Sequence, residues 1–303
     1  MVNLLKADLF RMSRVARMHG YLWRWMIGLF IVMIMMNGIF SIGAQVMCDQ
    51  AIAGNISDQQ LRSAQTSLQI YEMTPSAFFA VFLTSPHRGS GLLVLLGCIS
   101  ATVMYITDTG CGYASAVSTS TRGRLAFAAE RIVLAGVWTA ALLIIMMSLS
   151  VLTMVPFGHM LHTGEPIGRF LLWALDAWLS CWALSVVSLA IACLTRSTVV
   201  SLGASVLIGA GVVARLVSGA AALLAMLVPE QPVWSSILGD IAALFPSTCL
   251  DLLHAGGASL SQAATGALAW LPGGVAAQAL LVGGGWTILA AAVILAVSRR
   301  APV

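Results

Sequence analysis

Long apolar runs alternate with short polar stretches along this chain. A helix that crosses a membrane needs about 20 mostly apolar residues. Six runs reach that length: 21–44, 89–107, 126–155, 168–194, 199–228 and 272–297. The third carries Glu130 and Arg131 near its start, so its first turns are expected to project into water. The stretch 229–270 is apolar only in pieces, broken by Pro229, Pro232, Pro246, Gly256 and Gly257. Pieces that short read as re-entrant or interfacial helices, tolerated at membrane depth only where protein or water satisfies the broken backbone. The predicted fold class is an all-α polytopic membrane protein. It has six transmembrane helices and re-entrant outer helices before the last span, in a single transmembrane domain over 1–303.

Composition sharpens this reading. Charged residues make up 9% of the 303 and hydrophobic ones 59%, whereas a soluble domain carries about 25% charged residues. The net charge of +4 therefore reports topology rather than nucleic acid. Lys6, Arg11, Arg14, Arg17, Arg24, Arg122, Arg124, Arg131, Arg196, Arg299 and Arg300 fall on one side, which is eleven of the fifteen basic residues. Arg62, Arg88 and Arg169 fall on the other side, and Arg215 lies inside the fifth run. The acids Asp49, Asp58, Glu72, Glu165, Glu230, Asp240 and Asp251 share that second side. The bias of basic loops toward the cytoplasm places both termini inside, and an even number of spans agrees.

Three polar segments have their own character. Within 1–20, Leu5, Leu9, Met12 and Ala16 share one helical face while Lys6, Arg14 and Arg17 share the other. Phe10 breaks the pattern on the basic side. This predicts an amphipathic helix on the inner leaflet. The outer segment 45–88 contains NISDQQLRSAQTS and reads as solvated. It is too short for a substantial domain and suits a small helical hairpin or cap. Its NIS at Asn55 fits a glycosylation sequon, which in a bacterial protein would be a chance match. The third segment, 108–125, lies within YITDTGCGYASAVSTSTRGRLAFAAERIVLAG and is rich in Gly, Ser and Thr.

Candidate chemistry is sparse. GCGYAS has no following Lys and follows no strand of a βαβ unit, so it is not a phosphate loop. No GxxxxGK[ST], HExxH or GxSxG occurs. The six cysteines form no metal-ligand spacing; free thiols are the expected state, and a Cys48–Cys249 disulfide is the alternative, since both fall in predicted outer loops. His19, His87, His159, His162 and His254 are scattered in flanks and loops. No cleavable signal peptide is expected, because the first apolar run is long enough to span. Charges inside spans are expensive and are either paired or functional. Asp176 in the fourth run and Arg215 in the fifth form a candidate intramembrane pair, which either fixes packing or serves a substrate or proton. In the fifth run, Gly203, Ala204, Gly209, Ala210 and Gly211 would permit close helix approach.

Taken together, these features resemble the permease subunits of ABC transporters of the ABC-2 class, which include exporters and immunity permeases for antibiotic and lantibiotic-type peptides. The architecture is similar over the whole chain. The opening NLLKADLFRMSR is similar to the family's apolar pair, basic residue, acidic residue and aromatic-basic run, here Leu4-Leu5, Lys6, Asp8 and Phe10-Arg11. The segment after the second span resembles the family's acidic residue, Gly, short helix and basic turn. In this chain these are Asp108, Gly112, the run beginning at Tyr113, Arg122 and Arg124, followed by Glu130-Arg131. The family more often has Glu, Thr or Ser, and Lys at the positions of Asp108, Tyr113 and Arg131.

The resemblance implies a chain that is not itself an enzyme. Its short helix would dock on a separate ATPase subunit present in two copies, which binds ATP and Mg. A second permease copy or paralogue would complete the transporter in a bacterial cytoplasmic membrane, with spans one and five at the dimer face. Spans two and five and the outer re-entrant segment would wall the pathway of an amphipathic substrate, a peptide antibiotic or a lipid. Two readings from other classes stand beside it. One is a non-transporting immunity or sensor protein. The other is an ion-coupled secondary transporter using Asp176 and Arg215.

Overall fold

Of the apolar runs that fall in the described residues, all become helical and one breaks. The structure, a computed structural model, describes residues 72–83, 91–110, 121–154, 160–161, 164–227 and 232–300, with isolated helical positions at 28, 31, 34, 35, 46 and 50. The helix expected over 1–20, and the first span apart from those isolated positions, lie outside the described residues. The elements in chain order are α1 (Pro75–Leu83), α2 (Leu92–Gly110), α3 (Thr121–Met154), α4 (Ile167–Thr195), α5 (Thr198–Gly209), α6 (Val212–Leu227), α7 (Pro232–Ala243) and α8 (Pro246–Leu252). Two 3-10 segments, Leu253–Ser261 and Gly266–Leu268, lead into α9 (Gly274–Arg300). The exception to helix is a ladder of two-residue strands, β1 (Glu72–Met73) running parallel to β2 (Met160–Leu161).

By length and composition, α2, α4, α9 and the stretch Gly123–Leu152 of α3 are able to cross a membrane. The count rises to six if each of two bent pairs is one span. The first bent pair is α5 with α6, bent by 56°. The fifth run is thus not the unbroken helix expected from its hydropathy. Gly211 takes the left-handed conformation (φ 67°), which ends α5 and re-aims the chain into α6. The second pair, Val233–Ala243 with Pro246–Leu268, bends by 86° and matches the broken helices expected over 229–270. Pro246 opens α8 at its first turn, and Gly256 (φ 68°) kinks the 3-10 segment.

The central post is α4. Its membrane-length window is 67% buried, against 28–39% for the other three long helices. Small residues let neighbours close on it. A Cβ at Gly97 of α2 would sit 2.9 Å from Ser185 Oγ, and one at Gly283 of α9 would sit 3.1 Å from Leu179 Cγ. On the α3 side, Gly136 leaves room for the Trp182 indole, which would lie 2.8 Å from a Cβ there. Trp178 and Trp182 stack at 5.2 Å and donate to the carbonyls of Gly136 and Ile132 at 2.9 and 3.0 Å. These contacts fix the directions: α2, α4 and α9 run parallel, and α3 runs against them.

The segment before α2 departs from its expected solvated character. Within 45–88, α1 buries Phe78, Phe79 and Ala80 in the main apolar cluster beside Trp173 and Leu253. Apolar side chains packed this way hold a nine-residue helix that has too few backbone bonds to stand alone.

Candidate functional site

The helix directions gather the charges at two ends of the bundle. The C-termini of α2, α4 and α9 and the N-terminus of α3 share one end, which holds Arg124, Arg131, Arg196, Arg299 and Arg300 with the carboxylates Asp108 and Glu130. At the opposite end lie Glu165, Asp240 and Asp251, with Arg169. At the basic end, Arg196 stops α4 in the left-handed conformation (φ 51°), its N–H donating to the Ala192 carbonyl at 3.1 Å. A non-glycine residue rarely sits there, and the sharp turn sends the chain straight into α5.

Asp108 and Arg131 form the core of the basic end. Arg131 Nη1 meets Asp108 Oδ2 at 2.8 Å, with side chains 5% and 6% exposed. The Arg131 guanidinium also lies 4.7 Å over the Phe127 ring one turn earlier, a favourable cation–π distance. Glu130 is 1% exposed. Two sequence expectations are corrected here. The first turns of α3 do not carry Glu130 and Arg131 into water, because both side chains are buried between helices. Asp108 is not in a loop either: α2 continues to Gly110, so Gly110 extends the helix rather than turning the chain out of it. The pair therefore bolts the last turn of α2 to the third turn of α3. Removing one member of such a pair strands a buried charge, at a cost of about 3–5 kcal/mol.

Of the other residues assigned to the coupling segment, Arg124 lies in the first turn of α3, and Arg122 beside it belongs to the same turn. Gly112 and Tyr113 lie outside the described residues, as does the short helix expected after them.

Asp176 and Arg215 are not brought together. Asp176 is 0% exposed in α4, and neither of its carboxylate oxygens has a hydrogen-bond partner among the described residues. Ser180, one turn further along, is equally buried, and its hydroxyl is also without a hydrogen-bond partner there. Arg215 sits just beyond the break in α6, half-buried, with Nε and Nη2 making no hydrogen bond. That break diverts Arg215 from the path an unbroken fifth span would have followed past α4. Cys249 is a free thiol inside α8, 0% exposed; Cys48 lies outside the described residues.

Two arrangements escaped the sequence reading. At the acidic end, the Glu165 carboxylate caps α1. It accepts the Ser76 N–H at 2.9 Å and also the Ser76 hydroxyl, and Ser76 Oγ in turn accepts the Gly257 N–H at 2.6 Å. A carboxylate at a helix N-terminus meets unsatisfied N–H groups and the positive end of the dipole. Gly256 and Gly257 lie so close to α1 and Glu165 that a Cβ at either would collide. The Gly-Gly dipeptide was the available signal. At the basic end, the ends of α2, α3, α4 and α9 enclose a recess lined in part by Tyr105 and Thr109 of α2. Nothing in the spacing of those two residues marks it. The chain matches no family model, no curated protein and no solved structure, so its chemistry rests on the geometry just described.

Proposed function

We propose that this chain is the membrane-spanning permease subunit of an ATP-driven transporter of the ABC-2 class. In this reading it has six spans, an N-terminal interfacial helix and both termini in the bacterial cytoplasm. It works with two soluble ATPase subunits and a second permease copy or paralogue, and it moves or extracts an amphipathic peptide or lipid. The observation that carries the reading is the buried Asp108–Arg131 pair at 2.8 Å. A partner's motion reaches membrane helices only if the segment it grips is rooted rigidly in them. Residues 111–120 begin just after Asp108 and enter α3 about three turns before Arg131. A push on that connector moves both helices as one body against α4.

Co-purification of the tagged chain with its Walker-motif ATPase, and ATP-driven substrate movement in proteoliposomes, test this together. Gly112→Trp, or Arg122→Glu with Arg124→Glu, is expected to abolish ATPase association while the chain still folds. Unchanged association and turnover would sink the coupling role.

A second reading has its own observation. A fully buried carboxylate without a hydrogen-bond partner among the described residues, as at Asp176, is the usual mark of an ion or proton pathway within a span. In the same vesicles, with a proton gradient as the sole driving force, that reading requires Asp176→Asn to abolish transport. ATP-driven transport that survives Asp176→Asn removes it.

A further inference from the structure

We infer that Asp176 and Ser180 of α4 form a binding site for a small monovalent cation of sodium's size. Both side chains are 0% exposed. They stand one turn apart on one face of α4, with Cβ atoms about 5–6 Å from each other. The two carboxylate oxygens and the hydroxyl oxygen have no hydrogen-bond partner among the described residues, and no ion pair reaches Asp176 there. Other buried hydroxyls of the bundle behave differently. Ser150, Ser185, Ser205 and Thr287 each donate to the carbonyl four residues back, at 2.7–2.9 Å. Ser180 does not, which leaves its oxygen for another partner.

Charge and geometry select the ligand. An ionised carboxylate in an apolar interior needs a positive charge beside it. One carboxylate balances one positive charge, and a divalent ion would leave a buried surplus. The carboxylate and the hydroxyl do not hydrogen-bond to each other, so no proton is shared between them. A cation that reaches each oxygen at about 2.3–2.6 Å, as calcium-sized ions do, bridges a wider gap than a proton. Carboxylate and hydroxyl oxygens are hard ligands, which suits an alkali ion rather than a soft metal. Cys249 of α8 lies within electrostatic reach of Asp176 and packs with Ala279 and Val282 of α9. A Cβ at Gly283 would lie 3.4 Å from the Ser180 nitrogen, so α9 also closes on Ser180. The site thus lies between α4, α8 and α9. Asp176 stands about 14 Å along α4 from Ile167. That start of α4 belongs to the acidic end, where Glu165, Asp240 and Asp251 outnumber Arg169 among the described residues and draw cations in. α8 opens the second half of the pair bent by 86°, and broken helices are where transporters seat such ions. The inference names the ion of the second reading above and rests on that reading only for transport; binding itself needs no gradient.

The test uses the purified full chain in detergent, with sodium, potassium or choline chloride at equal ionic strength, and radioactive sodium for direct binding. Sodium is expected to bind and to raise the unfolding midpoint saturably, potassium more weakly, and choline not at all. Asp176→Asn should abolish sodium binding, and Ser180→Ala should weaken it roughly tenfold. Asp240→Asn, at the acidic end and outside the site, should leave it unchanged. Where Asp176→Asn does not fold, Ser180→Ala decides by itself. Equal midpoints in all three salts, or sodium binding untouched in Asp176→Asn or Ser180→Ala, would overturn the site. A midpoint that rises with acid and ignores sodium would mean that a proton neutralises Asp176, and it overturns the site as well. Sodium bound without ion-driven transport removes the second reading and keeps the site. Proton-driven transport lost in Asp176→Asn, in a chain that binds no sodium, keeps the reading and removes the site.

Discussion

Gly203 and Gly209 sit on the same short helix and answer to different neighbours. A Cβ at Gly209 would lie 2.8 Å from Leu95 Cα, a backbone atom that cannot swing aside, while one at Gly203 meets nothing within 4 Å. The close approach at Gly209 accompanies the buried Thr102–Ser205 hydrogen bond, 2.6 Å, which joins α2 to α5. Gly209→Ala is therefore expected to push α5 off α2 and cost about 1–3 kcal/mol, read as a lowered unfolding midpoint in detergent. Gly203→Ala should be neutral or gain up to about 1 kcal/mol from helix propensity. Equal midpoints for the two variants would mean that α2 and α5 do not touch at Gly209. The sequence shows these small residues as one stripe suited to a dimer face. It cannot say which helix approaches, and Gly209 is taken by α2 of its own chain.

At the level of elements, hydropathy locates the long helices well and their ends poorly. α3 begins at Thr121 rather than near 126, and α2 runs on to Gly110. The polar residues TRGR and TDTG read as loop because propensity and hydropathy ignore partners. Asp108 and Arg131 neutralise each other across the two helices, and that long-range match lets both ends stay helical and buried. The bolt is open to a double-mutant cycle. Asp108→Asn and Arg131→Gln should each cost about 3–5 kcal/mol in stability, and the double variant clearly less than their sum. Strict additivity in the unfolding free energies would mean that the two side chains do not act as a pair. The break in the fifth run was equally hidden, since Gly209-Ala210-Gly211 fits tight packing and a kink alike. Only the left-handed φ of Gly211 decides between them.

Across the whole molecule, the distribution of basic residues along the sequence anticipates a spatial one. The residues assigned to one side by counting loops, Arg124, Arg131, Arg196, Arg299 and Arg300, do lie at one end of the bundle, and Glu165, Asp240 and Asp251 at the other. This much was legible because each long helix carries its flanking charges with it. The recess and the Glu165 cap were not, because they join residues distant in sequence. If the bundle crosses a bilayer once per long helix, its ends face opposite compartments. Cysteines placed at Arg299 and at His254, both exposed, should then react with an impermeant maleimide from opposite sides of sealed vesicles. The thiols of Cys98, Cys181, Cys193 and Cys249 are buried, so replacing Cys48 and Cys111 leaves a quiet background. Labelling of both positions from one side would rule out that arrangement.

The Glu165–Ser76–Gly257 cap also sets an order in time. Ser76 precedes Glu165 by 89 residues and Gly257 by 181. At a synthesis rate of about 5–20 residues per second, Ser76 waits roughly 10–40 s for Gly257 to be made. The start of α1 is uncapped only until Glu165 follows, about half of that interval, and the seat for the Gly-Gly pair stands open for all of it. The last third of the chain thus closes a joint prepared by the first, and a nascent chain that stalls before Gly256 leaves the Ser76 hydroxyl oxygen without its Gly257 donor and that face of α1 uncovered.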